Sequence, residues 1–388
     1  MYPAARIEAT DALTIYFDNM AATPIDPRVS RLHREAMEAH PGNAHSVEHA
    51  TGLAAQRAVE RAGEELMRGV GSAADEVTFT PGASPALWLC IEDAIARATG
   101  RPASIAATAV EHPALLAALE RAERAGRIRL TVISVDGDAV PRLDDVEAAL
   151  DGGVDLVCTM AANNEIGTIT DLAAINAIVA ASGARHLVDA SQAAGKVGMA
   201  DIAAADLLVV SGAKIYGPRR AAALIGLLGR EARELAHDVF GSPDAPSAMA
   251  LAEAMRLCVL EHDIDEARLA RMRDELQARL LASVPGLRVN GLGGKRLSGS
   301  LHVSTPHIAG EAAVSRLWGK VAVSTGAACR SGVPGPSHVL AAMDMPEWAR
   351  EGAVRIGLGR FNDEAEVEAA AGLIAAALRA DEPARRSA

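Results

Sequence analysis

The chain has 388 residues, half of them hydrophobic but only 3% aromatic, and its 50 acidic and 38 basic side chains leave a net charge of −12. A chain this long supports one large α/β core or two domains, filled here by Ala, Leu and Val; without a basic cluster interleaved with aromatics, nucleic acid and anionic membrane are excluded as partners. No run approaches the roughly 18 apolar residues that span a bilayer, and residues 1–12 lack a basic region followed by an apolar one, so a soluble, cytoplasmic protein is expected.

In chain order, 13–17 reads as a brief strand, followed by the turn-rich Asp18-Asn19-Met20-Ala21-Ala22-Thr23-Pro24 and a helix near 30–39. Val59, Ala62, Leu66 and Val70 form the apolar stripe of a helix over 53–70, with Gly71 as its stop. Val77-Thr78-Phe79-Thr80 is a strand, Pro81-Gly82-Ala83-Ser84 a turn, and 85–98 a helix. Such a junction suits a phosphate, because the first N–H groups of a helix are unpaired and lie at its positive end. Strands at 105–109, 128–135, 154–160, 186–189 and 207–211 then alternate with helices at 113–125, 144–150 and 172–182. This alternation predicts an α/β fold with a mostly parallel sheet covered by helices on both faces, and ligands at the strand C-termini. A further strand at 221–228 precedes a long helix over 249–283, rich in Glu and Arg at i,i+4, which leads into a second domain. That domain holds strands at 301–304, 321–324 and 353–357 and helices near 311–318, 337–343 and 364–379; the tail from 381 reads as disordered.

The four cysteines are widely spaced, with no C-x-x-C and no Cys/His pair at zinc spacing, so neither a disulfide framework nor a metal site is expected. Cys90, Cys158 and Cys258 sit in apolar runs as small buried hydrophobes, whereas Cys329 lies among Gly326, Ala327, Ala328, Arg330, Ser331 and Gly332, where Arg330 favours the thiolate. Three other groups fall at strand ends: His112, Asp189 and Lys214, the last in Ser211-Gly212-Ala213-Lys214-Ile215-Tyr216-Gly217-Pro218. Each alone has an ordinary structural explanation as a cap, a turn residue or a loop cation. Together they match the needs of pyridoxal phosphate: a lysine for the Schiff base, a carboxylate for the ring nitrogen and a flat side chain for the ring face.

At these residues the chain resembles the class V aminotransferase-like pyridoxal phosphate enzymes and, among them, the cysteine desulfurases, over about 15–361. The similarity is carried by Tyr16-Phe17-Asp18-Asn19 through Thr23-Pro24, Asn163-Asn164-Glu165-Ile166-Gly167, Val188-Asp189-Ala190-Ser191-Gln192, the lysine stretch, Ser324-Thr325-Gly326-Ala327-Ala328-Cys329, and Val354-Arg355-Ile356-Gly357-Leu358-Gly359-Arg360-Phe361. The resemblance implies a fold type I transferase in a homodimer, with a large cofactor-binding domain over 15–250. A smaller α+β domain, from 1–14 and 251–380, would carry the cysteine loop, and 381–388 would be a tail. It implies conversion of L-cysteine to L-alanine, with sulfur carried on Cys329 as a persulfide toward iron–sulfur clusters or other sulfur compounds through an acceptor or scaffold protein. Lys214 resembles the Schiff-base lysine and general base, Asp189 the pyridinium partner and His112 the ring-stacking residue. Gln192 and Asn163 resemble the residues on the phenolic oxygen, Asn163 also helping to seat substrate, and Arg355 the grip on the substrate carboxylate. Ala83, Ser84 and Ser211 fall at the phosphate end.

The departures cluster at that end. The related pattern has Gly-Ala-Thr-Glu followed shortly by Asn, where this chain has Gly82-Ala83-Ser84-Pro85 and Trp88; it has a histidine before the lysine, here Ala213, and a Gly-rich segment after it, here Arg219-Arg220-Ala221. Its Arg-x-Gly-Thr segment, a phosphate contact across the dimer, is replaced by Phe240-Gly241-Ser242-Pro243-Asp244-Ala245-Pro246-Ser247. Two alternatives stay open at this level: a weakened desulfurase-like dimer partner or sulfur-relay scaffold, and a class V lyase acting on another amino acid such as selenocysteine.

Overall fold

The computed structural model describes residues 14–74, 76–326 and 337–379. Cys329, the N-terminal segment 1–13 and the tail fall outside the described residues.

The strands are β1 (Ile15–Tyr16), β2 (Val77–Thr80), β3 (Ala103–Thr108), β4 (Ile128–Ile133), β5 (Leu156–Met160), β6 (Arg185–Asp189), β7 (Leu207–Ser211), β8 (Ala222–Ile225), β9 (Arg288–Val289), β10 (Ser300–Ser304), β11 (Val321–Ala322) and β12 (Ala353–Gly357). Seven of them form one sheet in the order β2-β8-β7-β6-β5-β3-β4. β8 runs antiparallel to both its neighbours and all the other pairs are parallel, as the alternation of the sequence requires. Every residue of β5 and β7 is buried, because both faces of the sheet are covered. Along β7, Leu207 and Val209 pack with the helices Ala83–Arg97, Pro113–Arg124 and Arg230–Phe240, while Leu208 and Val210 pack with Ala50–Val70 and the first part of Ala245–Ser283. β4, at the edge, buries only its two end residues.

A second unit contains the antiparallel set β12-β10-β9 and the parallel pair β1-β11. Its core joins Phe17, Leu301, Val303, Val354 and Ile356 to Leu269, Met272, Leu276 and Leu280 of the long helix and to Val367 and Ile374 of Glu364–Leu378. The helix Ala245–Ser283 is therefore shared: its residues up to Cys258 pack on the large sheet and those from Leu269 on the small one. Packing changes partner inside one helix, not at the sequence division 250/251, and Phe17 joins the smaller core although it lies within 15–250. The helix also begins earlier than its apolar pattern indicates, because Asp244 accepts the Ser247 N–H at 2.9 Å and Pro246 occupies the first turn. The helices Arg230–Phe240 and Glu347–Glu351 and the strand β9 were not legible in the sequence: the buried positions of the first are only Ala232 and Ala236, a stripe too weakly apolar to stand out.

Candidate active site

β5, β6 and β7 end side by side, and the loops beyond them open onto a cavity of about 410 Å³, within the range of small-molecule sites. Asp189 is the last residue of β6, and its Oδ1 accepts the Ser191 N–H at 2.9 Å. Ser211 ends β7, and the chain then turns through Gly212–Lys214. This turn is clamped from both sides: the Gly212 N–H donates to the Ala221 carbonyl (2.8 Å), and the Thr23 N–H to the Ala213 carbonyl (2.8 Å). Tyr216 follows at φ 61°, a region that bulky residues rarely adopt. It is held there because its N–H donates to Thr23 Oγ1 (2.8 Å), its hydroxyl accepts the Arg360 N–H (2.8 Å) and its ring lies 4.5 Å beneath the Arg360 guanidinium. The turn presents Lys214 to the cavity with Nζ on the carbonyls of Met20 (2.9 Å) and Ala21.

His112 enters from the loop after β3, at the head of Pro113–Arg124, where its Nδ1 accepts the Ala114 N–H at 3.1 Å. Burial holds this imidazole below its usual pKa; Lys214 and His338 act in the same direction and Asp189 opposes them. With Nδ1 accepting, the neutral ring carries its proton on Nε2. Gln192 donates Nε2–H to the Met20 carbonyl at 2.8 Å, which leaves its buried Oε1 without a partner. Ala83 and Ser84 head the helix Ala83–Arg97 behind Gly82, which offers the first N–H groups no side-chain cap. Arg355, on β12, reaches across from the smaller unit: Nη1 donates to the Asn164 carbonyl and Nη2 to Asp18 Oδ1, both at 2.9 Å.

The structure thus gathers Lys214, Asp189, His112, Gln192, Ala83, Ser84, Ser211 and Arg355 around one cavity. It does not bring in Asn163. That side chain is spent on its own turn, with Oδ1 accepting the N–H groups of Glu165 and Ile166 (2.9 Å each) and Nδ2 donating to the Val110 carbonyl; the amide that lines the cavity is that of Asn164. Asp18 as the partner of Arg355, and the Met20 and Ala21 carbonyls on Lys214, also went unassigned in the sequence. The Asp18–Asn19 motif was visible there, but its partners lie about two hundred and more than three hundred residues away. Arg219 and Arg220 line the cavity as well.

Two buried carboxyls adjoin the site. Burial pushes Glu111 up to about 8 against the Thr108 hydroxyl that donates to it at 2.6 Å. Burial likewise pushes Glu165 up to about 7, opposed by Ser337 and Arg355, and His302, 3.9 Å from it, is pushed down to about 3, chiefly by burial. Among the described residues no cluster of His, Cys, Asp and Glu could hold a metal ion.

The orphaned acceptors fit the expected cofactor. Asn164 Oδ1, Ser191 Oγ and Gln192 Oε1 are buried without hydrogen-bond partners, and all three residues line the cavity. Such groups are rare unless a ligand or water completes them. A polar heteroaromatic aldehyde bearing a phosphate offers hydroxyl, ring-nitrogen and phosphate groups to this donor and acceptor set.

The family profile described as Aminotransferase class-V matches residues 15–228 and 229–370. The chain belongs to that family. It is 34% identical over 369 residues to "Cysteine desulfurase IscS" of Anaeromyxobacter dehalogenans (strain 2CP-C), covering 92% of this chain and 90% of that one. It is 34% identical over 364 residues to "Cysteine desulfurase" of Trichormus azollae, covering 91% and 90%. Among solved structures, a "NifS-like protein" superposes with a TM-score of 0.84 at 26% identity, over 94% of this chain and 99% of that one. Within the family, the chain groups with the cysteine desulfurases.

Proposed function

We propose that this chain is a pyridoxal-phosphate-dependent cysteine desulfurase: L-cysteine and the Cys329 thiol become L-alanine and a Cys329 persulfide, so one sulfur atom moves and no outside oxidant is needed. The observation that carries this reading is the convergence of Lys214, Asp189 and His112 on one cavity lined by unpartnered buried acceptors.

When bound, the cofactor supplies an electron sink for the substrate carbon atoms. Lys214 would hold the cofactor through its aldehyde, and its Nζ would be the group that moves protons at the substrate. Asp189 would hold the proton on the ring nitrogen. His112 would cover a ring face, and burial, by lowering its pKa, favours the neutral imidazole there. Gln192 and Asn164, which line the cavity, would meet the ring's polar edge, Asn164 taking the place expected for Asn163. Arg355 grips the substrate carboxylate: Asp18 and the Asn164 carbonyl fix both Nη atoms, while its buried Nε has no acceptor among the described residues. A homodimer and a sulfur-accepting protein complete the reading. Among the described residues no helix is long and apolar enough to cross a membrane.

The test is an absorbance spectrum of purified protein with pyridoxal phosphate, followed on adding L-cysteine, with L-alanine assayed alongside. A visible band that L-cysteine changes as alanine accumulates, both lost in Lys214→Ala, is expected. A protein that stays colourless in excess cofactor and forms no alanine would refute the proposal.

A further inference from the structure

We propose that Arg220, supported by Arg219, holds the phosphate ester of the cofactor, in place of the histidine and the Arg-x-Gly-Thr segment that this chain lacks. The inference rests on the cofactor reading above.

The turn Gly82-Ala83-Ser84 can contribute N–H groups from the head of a 15-residue helix, and Gly82 leaves them uncapped. It is an incomplete cradle: Pro85 has no N–H, and Ala213, beside the lysine, has no polar side chain. A helix end is worth only about half a charge, whereas a phosphate monoester carries nearly two. Cations must supply the rest.

Four cationic side chains line the cavity. Two are engaged: Lys214 on the carbonyls of Met20 and Ala21, and Arg355 on Asp18 and the Asn164 carbonyl. Arg219 and Arg220 make no ion pair among the described residues. Their backbone is fixed between Lys214 and β8, where the Ala221 N–H donates to the Pro218 carbonyl at 3.2 Å. The guanidinium fork also matches phosphate geometry better than a lone hydroxyl such as Ser84 or Ser211.

The two arginines differ in position. Arg220 also lines an adjoining cavity of about 140 Å³ with Thr80, Pro81 and Ser242, which puts it at the 81–84 end. Arg219 is absent from that second cavity, and its charge acts on Tyr16, on the side of Asp18 and Arg355. Arg220 is therefore assigned the larger share.

The experiment titrates the apoprotein with pyridoxal phosphate and, separately, with unphosphorylated pyridoxal, reading both affinities from absorbance. Wild type is expected to prefer the phosphorylated form. Arg220→Ala should weaken pyridoxal phosphate about tenfold to a hundredfold and leave pyridoxal unchanged; Arg219→Ala should have a smaller effect, and Arg220→Lys should recover part of the loss. A wild-type preference retained in both alanine variants would overturn this assignment and leave the desulfurase reading intact. An equal fall in both affinities would overturn it too, by showing a disturbed turn and no phosphate contact. A wild-type protein that takes up neither aldehyde would overturn both readings.

Discussion

Asp189 closes β6, and Lys214 sits on the turn that follows the fully buried β7, so their positions follow from the sheet more than from their neighbours. That is why both were legible: Leu187-Val188 closing on Asp189, and Leu207-Leu208-Val209-Val210 closing on Ser211 just before the lysine turn, mark strand ends in a parallel sheet. Asn163 and Asn164 were not separable in the same way, since two adjacent amides differ only in which one folds back on the turn backbone. Replacing Asp189 with Asn removes a carboxylate that lines the cavity while keeping shape; on the proposed function kcat is expected to fall on the order of a hundredfold or more, as for other preorganised charges, in steady-state alanine production. Glu111 gives a pH signature. Its folded pKa is raised from 4.5 to about 8, chiefly by burial. The neutral form is favoured on folding, so its stabilising contribution is fully present below 4.5 and is lost as pH rises through about 8. Glu111→Gln keeps the acceptor for Thr108 without an ionisable proton. Thermal melts should show this variant gaining on wild type as pH rises through that window, with the two converging at the acid end.

At the scale of elements, the lysine turn works because Gly212 lets three backbone segments meet. A Cβ there would stand 2.5 Å from the Pro218 carbonyl oxygen and 2.9 Å from that of Ala221. Neither atom is the free end of a side chain, so Gly212→Ala must shift the turn. A loss of about 1–3 kcal/mol in chemical denaturation is expected, together with weaker cofactor retention. The alternation of strands and helices from β3 to β7 was readable because buried strands and amphipathic helices differ in period. The helix Ala245–Ser283 was readable in kind but not in extent: its start is set by the Asp244 cap, and its burial changes partner along its length.

For the whole molecule, the site depends on how the smaller unit is held against the larger. Arg355 crosses between them, and nearby Arg360 pairs with Asp265 (2.7 Å), Asp26 (3.2 Å) and Glu261 (3.2 Å) while covering Tyr216. The Arg360 side chain is only 8% exposed; Arg360→Ala removes the partner of Asp265 and the cover of Tyr216, while Arg28 still pairs with Asp26 and Glu261, so stability should fall by about 1–3 kcal/mol, measured by urea unfolding. None of these pairs could be read from the sequence, because each joins residues roughly a hundred to more than three hundred positions apart and is fixed only once the two cores pack. Motif resemblance in the sequence carried the proposed chemistry, in which Cys329 is the sulfur carrier. The most direct test of that claim is peptide mass spectrometry of the protein after one turnover with L-cysteine. The Cys329 peptide is expected to be heavier by one sulfur atom, with L-alanine formed in equal amount and neither product accumulating in Cys329→Ala. Alanine forming at the wild-type rate in Cys329→Ala, or a Cys329 peptide of unchanged mass, would contradict the account.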